Sequence, residues 1–79
     1  MTEQHRFAQI EQRRDKLIAM AHRHVASGLE ILDRQRHVIE RMRALSLDVA
    51  DAEDLLARFE QSQTIFEEDL SRLTKERDG

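Results

Sequence analysis

From Leu17 to Leu45 the residues Leu17, Ala21, His24, Gly28, Ile31, Gln35, Val38, Met42 and Leu45 recur at alternating steps of four and three. Steps of that kind place side chains on one stripe of an α-helix. No proline occurs anywhere in the 79 residues to break the helix. The stripe continues backwards through Arg14, Ile10 and Phe7 without a change of phase. The reading is a first helix over about residues 3–45, roughly 65 Å long at 1.5 Å per residue. An element of that length cannot lie inside a small globule, so the chain is restricted to extended helical packing.

A second run repeats the period: Ala52, Leu56, Phe59, Gln63, Phe66, Leu70 and Leu73. It predicts a helix over about residues 49–77, with a turn at about 46–48. Helices joined by so short a connection are antiparallel neighbours. The expected fold is therefore all-α, an antiparallel two-helix hairpin of coiled-coil type forming a single unit over residues 1–79. Folding at the turn sets opposite each other residues whose numbers sum to about 94, pairing Met42 with Ala52, Val38 with Leu56, Gln35 with Phe59, Ile31 with Gln63, Gly28 with Phe66, His24 with Leu70, and Ala21 with Leu73. Thr2 or Glu3 suits the start of the first helix, and Arg41 and Arg43 suit the negative end of its dipole. Asp48, three residues before Asp51, reads as the N-cap of the second helix.

Charged residues make up 37% of the chain and aromatic residues 4%, a balance that in an aperiodic sequence would signal disorder. The strict apolar period argues for ordered helix instead. The chain has no cysteine, which excludes a disulfide framework and thiolate chemistry. Its N-terminus leads into no uninterrupted apolar run, so neither a signal peptide nor a membrane span is expected, and the default location is cytoplasmic. Residues 1–46 carry nine Lys/Arg against six acids, whereas the rest carries four against ten. A basic and an acidic half of one hairpin attract each other, a simpler account than a footprint for nucleic acid. The basic stretch Arg13-Arg14-Asp15-Lys16 lacks interleaved aromatics and carries acids within and beside it, which reads as a solvated face. A small nucleic-acid-associated regulator using the basic first helix is the alternative function.

Glycine inside a helix costs about 1 kcal/mol relative to alanine, and the expected reason for Gly28 is room for the Phe66 ring at a close crossing. Because the stripe passes Gly28 in phase, the helix is read as continuous there. Gln35 and His24 are polar members of the seam, a device that fixes register at some cost in stability; His24 could alternatively titrate as a switch. His5, His22, His24 and His37 lack the spacing of a helical metal site, and His37 with Glu40 reads as a surface hydrogen bond. Ser27, Ser46, Ser62 and Ser71 lack a paired base and acid, and a two-helix hairpin is not expected to offer a pocket of a few hundred Å³. Neither an enzyme nor a cofactor is expected.

The segment His24-Val25-Ala26-x-Gly28, followed by Ile31, Gln35 and the run Ala52-Glu53-x-Leu55-Leu56-x-x-Phe59-Glu60, resembles a group of short uncharacterised bacterial proteins with the patterns H-[IV]-A-x-G and A-E-x-L-L-x-x-F-E. The resemblance spans about Ala21 to Leu73 and implies no activity. In that group a glycine-containing turn and a threonine precede the second helix, whereas Ser46-Leu47 and Val49 stand here.

Beside the seam lies a second row, Ile18, Val25, Leu32 and Ile39, repeating every seven residues. One neighbouring helix covers one row, so this one is read as an interface. The expectation is a two-fold dimer in which two hairpins form a four-helix bundle with their first helices meeting along Ile18 to Ile39. The row Glu53, Glu60 and Glu67 would flank the interface within reach of the partner's arginines. Docking on a different helical protein is the alternative occupant.

Overall fold

The computed structural model describes the backbone of residues 3–78 and the side chains of residues 9–78. Two helices account for nearly all of it: α1, Glu3–Ala44, and α2, Ala50–Asp78. The expected cap at Thr2 and the place of the Phe7 side chain in the stripe lie outside the described residues. α1 runs for 42 residues straight through Gly28, whose φ is not positive. The particle is a rod of 66 × 16 × 15 Å, with α2 antiparallel to α1.

The reversal is built at residues 45–49. Leu47 N–H donates to the Met42 carbonyl at 2.9 Å and Ser46 N–H to the Arg43 carbonyl at 3.0 Å. This pair of bonds is the Schellman closure, which satisfies carbonyls that the last helical turn leaves free. The closure needs a left-handed residue at Ser46, whose φ is 59°, where glycine would carry no Cβ penalty. Asp48 then caps α2 as its spacing suggests, its Oδ1 accepting from Ala50 N–H at 3.0 Å. Asp51 and Glu53 add negative charge at the positive end of α2.

The rotation of α1 about its own axis differs from the expectation. Ile18, Leu32 and Ile39 are 4–7% exposed and buried against α2, whereas Leu17, Ile31 and Val38 are 39–49% exposed. In heptad letters the seam of α1 consists of a positions Ile18, Val25, Leu32 and Ile39 and d positions Ala21, Gly28, Gln35 and Met42. The expected seam members Leu17, His24, Ile31, Val38 and Leu45 instead form the adjacent g row on the surface. The row assigned to a second chain is thus the core of the hairpin itself. The physical reason lies in composition. The a row is wholly aliphatic, whereas burying the g row would desolvate the His24 imidazole. On α2 the expected seam stands, with Gln63 buried and Ala52, Leu56, Phe59, Phe66, Leu70 and Leu73 half-buried.

Register is shifted as well. Gly28 lies against Gln63, not Phe66, and Phe66 meets His24, with ring centroids 5.3 Å apart and planes tilted by 40°. Facing numbers therefore sum to about 91 at Gly28, nearly one helical turn from the expected value.

Two glutamines tie the register down. Gln35 on α1 donates its Nε2 to the Ala52 carbonyl of α2 at 2.9 Å. Gln63 on α2 donates its Nε2 to the Val25 carbonyl of α1, also at 2.9 Å. Gln63 is only 5% exposed, and its Oε1 is buried without a hydrogen-bond partner. Its amide occupies the space that a side chain at position 28 would need: a Cβ built on Gly28 would stand 1.7 Å from that oxygen. Gly28 is a seat for an amide rather than for an aromatic ring.

Candidate interaction surface

The two flanks of the α1·α2 seam have opposite chemistry, and the heptad order explains it. On one flank lie the e positions: Asp15, His22, Leu29, Arg36 and Arg43 of α1 with Glu53, Glu60, Glu67 and Thr74 of α2. Arg43 and Glu53 form an ion pair across the helices, and Asp15 pairs with Arg77 at 3.6 Å at the far end. All four side chains are largely exposed, so each pair contributes about 0–1 kcal/mol. Glu53, expected to await a partner chain's arginine, is occupied by Arg43 of its own. An open groove of about 360 Å³ follows this flank, lined by Arg36, Ile39, Glu40, Arg43, Glu53 and Leu56. Clefts of a few hundred Å³ thus exist on the hairpin, contrary to the expectation, although they are open furrows.

On the other flank lies the g row of α1: Ile10, Leu17, His24, Ile31, Val38 and Leu45, spaced by seven. A groove beside it, of about 160 Å³, is lined by Leu17, Met20, Ala21, His24, Phe66, Asp69 and Leu73. Leu55, two heptads before Asp69 on α2, is 41% exposed on the same flank. Most of the exposed apolar side chains of α1 therefore lie along this flank of the rod, whereas Leu29 on the opposite flank and Ile65 on α2 stand apart.

The rod exposes more surface than a compact monomer of its mass. Its accessible surface is 6666 Å². A folded monomer of 9.3 kDa is expected to expose about 5,000 Å². Among the described residues the buried apolar side chains are Ile18, Ala21, Leu32 and Ile39. One seam between two helices cannot bury more.

The remaining sequence candidates are dispersed. His37 donates its Nδ1–H to the Asp33 carbonyl at 2.8 Å, with the Asp33 carboxylate at 3.7 Å; its partner is Asp33 rather than Glu40. The backbone hydrogen bond and then the Asp33 charge hold its pKa above the ordinary 6.5. Among the described residues no group of three or more His, Asp or Glu side chains is placed to hold a metal ion. None of their helices is long and apolar enough to cross a membrane. Comparison with known proteins finds no matching family model, no matching curated protein and no matching solved structure.

Both apolar rows are legible in the sequence, but the row expected as interface fills the seam and the row expected in the seam lies at the surface. Gln63 reads there as an ordinary seam residue, and its amide seated on Gly28 is missed. The signal was present in the small d residues Ala21 and Gly28, which belong equally to either stripe. Only the polarity of His24 separates the two.

Proposed function

We propose that this chain is a non-enzymatic helical interaction module that associates through the g-row flank, forming a homodimeric four-helix bundle. The observation that carries the reading is the apolar strip from Ile10 to Leu45 beside a seam that is already filled. Leu17, Ile31, Val38 and Leu45 are each at least 39% exposed. Covering what is still open on them is worth about 1 kcal/mol apiece, taking roughly half of the 1.5–3 kcal/mol of full burial. Together that is a large share of the stability of a small domain. The opposite flank already carries cross-helix ion pairs and has less to gain. A face two rows wide also belongs to helices packed in a bundle rather than to an isolated pair.

Light scattering at micromolar concentration tests the reading. Wild type is expected at twice the chain mass, and the variant Ile31→Glu/Val38→Glu at the chain mass. A wild type that is a folded monomer contradicts self-association and directs attention to a different helical protein as occupant. Loss of the dimer on Glu53→Ala/Glu60→Ala, with the g-row variant still dimeric, would place the interface on the wrong flank.

A further inference from the structure

The dimer reading above leaves open which helix of the second copy covers the strip, and the residues of the strip decide it. We infer that α1 of each copy lies antiparallel along α1 of the other, with Ile10 facing the second copy's Leu45, Leu17 facing its Val38, and His24 facing its Ile31.

The composition of the competing surfaces favours this arrangement. In a bundle of two hairpins stacked face to face, the g row of α1 meets either the same row of the other α1 or the corresponding row of the other α2. The α2 row is Asp48, Leu55, Ser62, Asp69 and Glu76, with a single aliphatic residue. Placing α1 there would press Leu17 and His24 towards Glu76 and Asp69 and take carboxylates out of water, Asp69 together with its Arg72 partner. Placing α1 on α1 sets aliphatic side chains against each other at the outer pairs, Ile10 with Leu45 and Leu17 with Val38, and lays each His24 imidazole on an Ile31 near the axis, where its polar edge can stay towards solvent. Charge argues the other way, because the rim beside the g row carries Arg13, Arg34 and Arg41, which would find acids on α2. Those arginines are exposed and screened, and exposed pairs contribute less than the apolar burial. The apolar match prevails.

Register follows from pairing every member of the row. Antiparallel copies related by a two-fold axis leave no member of the row unmatched only when Ile10 meets Leu45. The axis then crosses α1 between His24 and Ile31, at the level of Ser27 and Gly28. Ser27 is the small residue of the exposed row beside the strip, so the helices can approach closely at the axis on that side. The strip is roughly 50 Å long and about 10 Å wide on each copy. The two together come to about 1,000 Å², the lower limit for a specific interface. A surface complementary to itself over that area fits a second copy of this chain.

Because the chain has no cysteine, oxidative crosslinking reads the arrangement directly. Leu17→Cys and Val38→Cys are made separately in the full chain, mixed and oxidised, after light scattering has established the mass of each. A disulfide needs Cα atoms about 4.4–6.8 Å apart. The mixture is expected to give a crosslinked heterodimer. Neither variant alone should crosslink, since identical positions lie roughly 30 Å apart in this register. Crosslinking of either variant with itself overturns the antiparallel arrangement. A dimer in which Leu17→Cys links to Glu76→Cys rather than to Val38→Cys places α1 on α2 and overturns it as well. Monomers throughout would remove the dimer and the arrangement together, which light scattering distinguishes from a dimer that crosslinks elsewhere. Salt gives an independent reading. Arg13 approaches the second copy's Arg41 in this register, so raising salt should leave association unchanged or strengthen it. Pairing of α1 with the acidic row of α2 would be weakened.

Discussion

Ile18, Val25, Leu32 and Ile39 stand one residue away from Leu17, His24, Ile31 and Val38 along the same helix, and both rows are largely aliphatic. Yet the first row is the core of the hairpin and the second lies on its surface. Period alone does not separate them, because both share the d residues Ala21, Gly28, Gln35 and Met42 as neighbours. What separates them is one imidazole and the polar devices that fix α2 against α1. His24 resists full burial. Gln35, Gln63 and the Ser46 closure hold the rotation and register that keep it at the surface. Hydrophobic pattern chooses the face of a helix, and a few polar contacts choose where on that face its neighbour sits.

The largest effect should come from the inner row. Leu32→Ala removes a side chain that is 5% exposed and should cost about 2–4 kcal/mol in chemical denaturation at fixed protein concentration. Ile31→Ala, one residue away, should cost clearly less. Equal losses would mean that the two rows are not differentiated as described.

Gly28→Ala sharpens the role of the polar devices. Alanine is worth about 1 kcal/mol more than glycine in helix propensity. Its Cβ, however, would collide with the Gln63 amide and expel it from the Val25 carbonyl. Losing that bond and disturbing a buried amide costs about 1–3 kcal/mol, so a net destabilisation of about 0–2 kcal/mol is expected. In the double variant with Gln63→Ala the collision is gone, and the two changes should be non-additive in a double-mutant cycle. A simple stabilisation by Gly28→Ala would show that the amide yields without cost and does not set the register.

Much of this architecture is legible without coordinates. The two helices, their antiparallel order, continuity through Gly28 and the Asp48 cap follow from period, absence of proline and cap chemistry. The rotation of α1 does not, because a face wider than one row leaves two stripes that differ only at His24. The register does not either, since it depends on which carbonyls of the facing helix the Gln35 and Gln63 amides reach. The seat of Gln63 on Gly28 could have been suspected, because a glycine inside a helix asks for a close neighbour. An amide and an aromatic ring were equally available to fill that role at neighbouring seam positions.

The turn can be strengthened without touching either row. Ser46→Gly relieves a left-handed residue with φ 59° and should stabilise the hairpin by up to about 1 kcal/mol, read as a higher denaturation midpoint. Destabilisation would show that the serine makes a contribution beyond its backbone conformation.

The smallest effect lies away from both rows. His37 is largely exposed and its pKa is raised, first by the Asp33 carbonyl and then by the Asp33 carboxylate. Proton NMR should give it a value above 6.5. A raised folded value means that its small stabilisation is complete below the unfolded pKa, near 6.5, and is lost as pH rises through the folded one. Asp33→Asn should lower the value only in part, because the carbonyl bond survives. No change on that substitution would leave the carbonyl and the Glu40 charge as the causes.

The comparison of the two rows is tested most directly by the thermal midpoint as a function of chain concentration. A dimer that completes its fold by association melts at a temperature that rises with concentration, whereas a monomer does not. The wild type should show that rise over a hundredfold range of concentration. Ile31→Glu should melt lower and without concentration dependence, and Leu32→Glu should show no cooperative transition. A wild-type midpoint independent of concentration, or a Leu32→Glu variant that behaves like Ile31→Glu, would contradict the division of labour between the inner and outer rows.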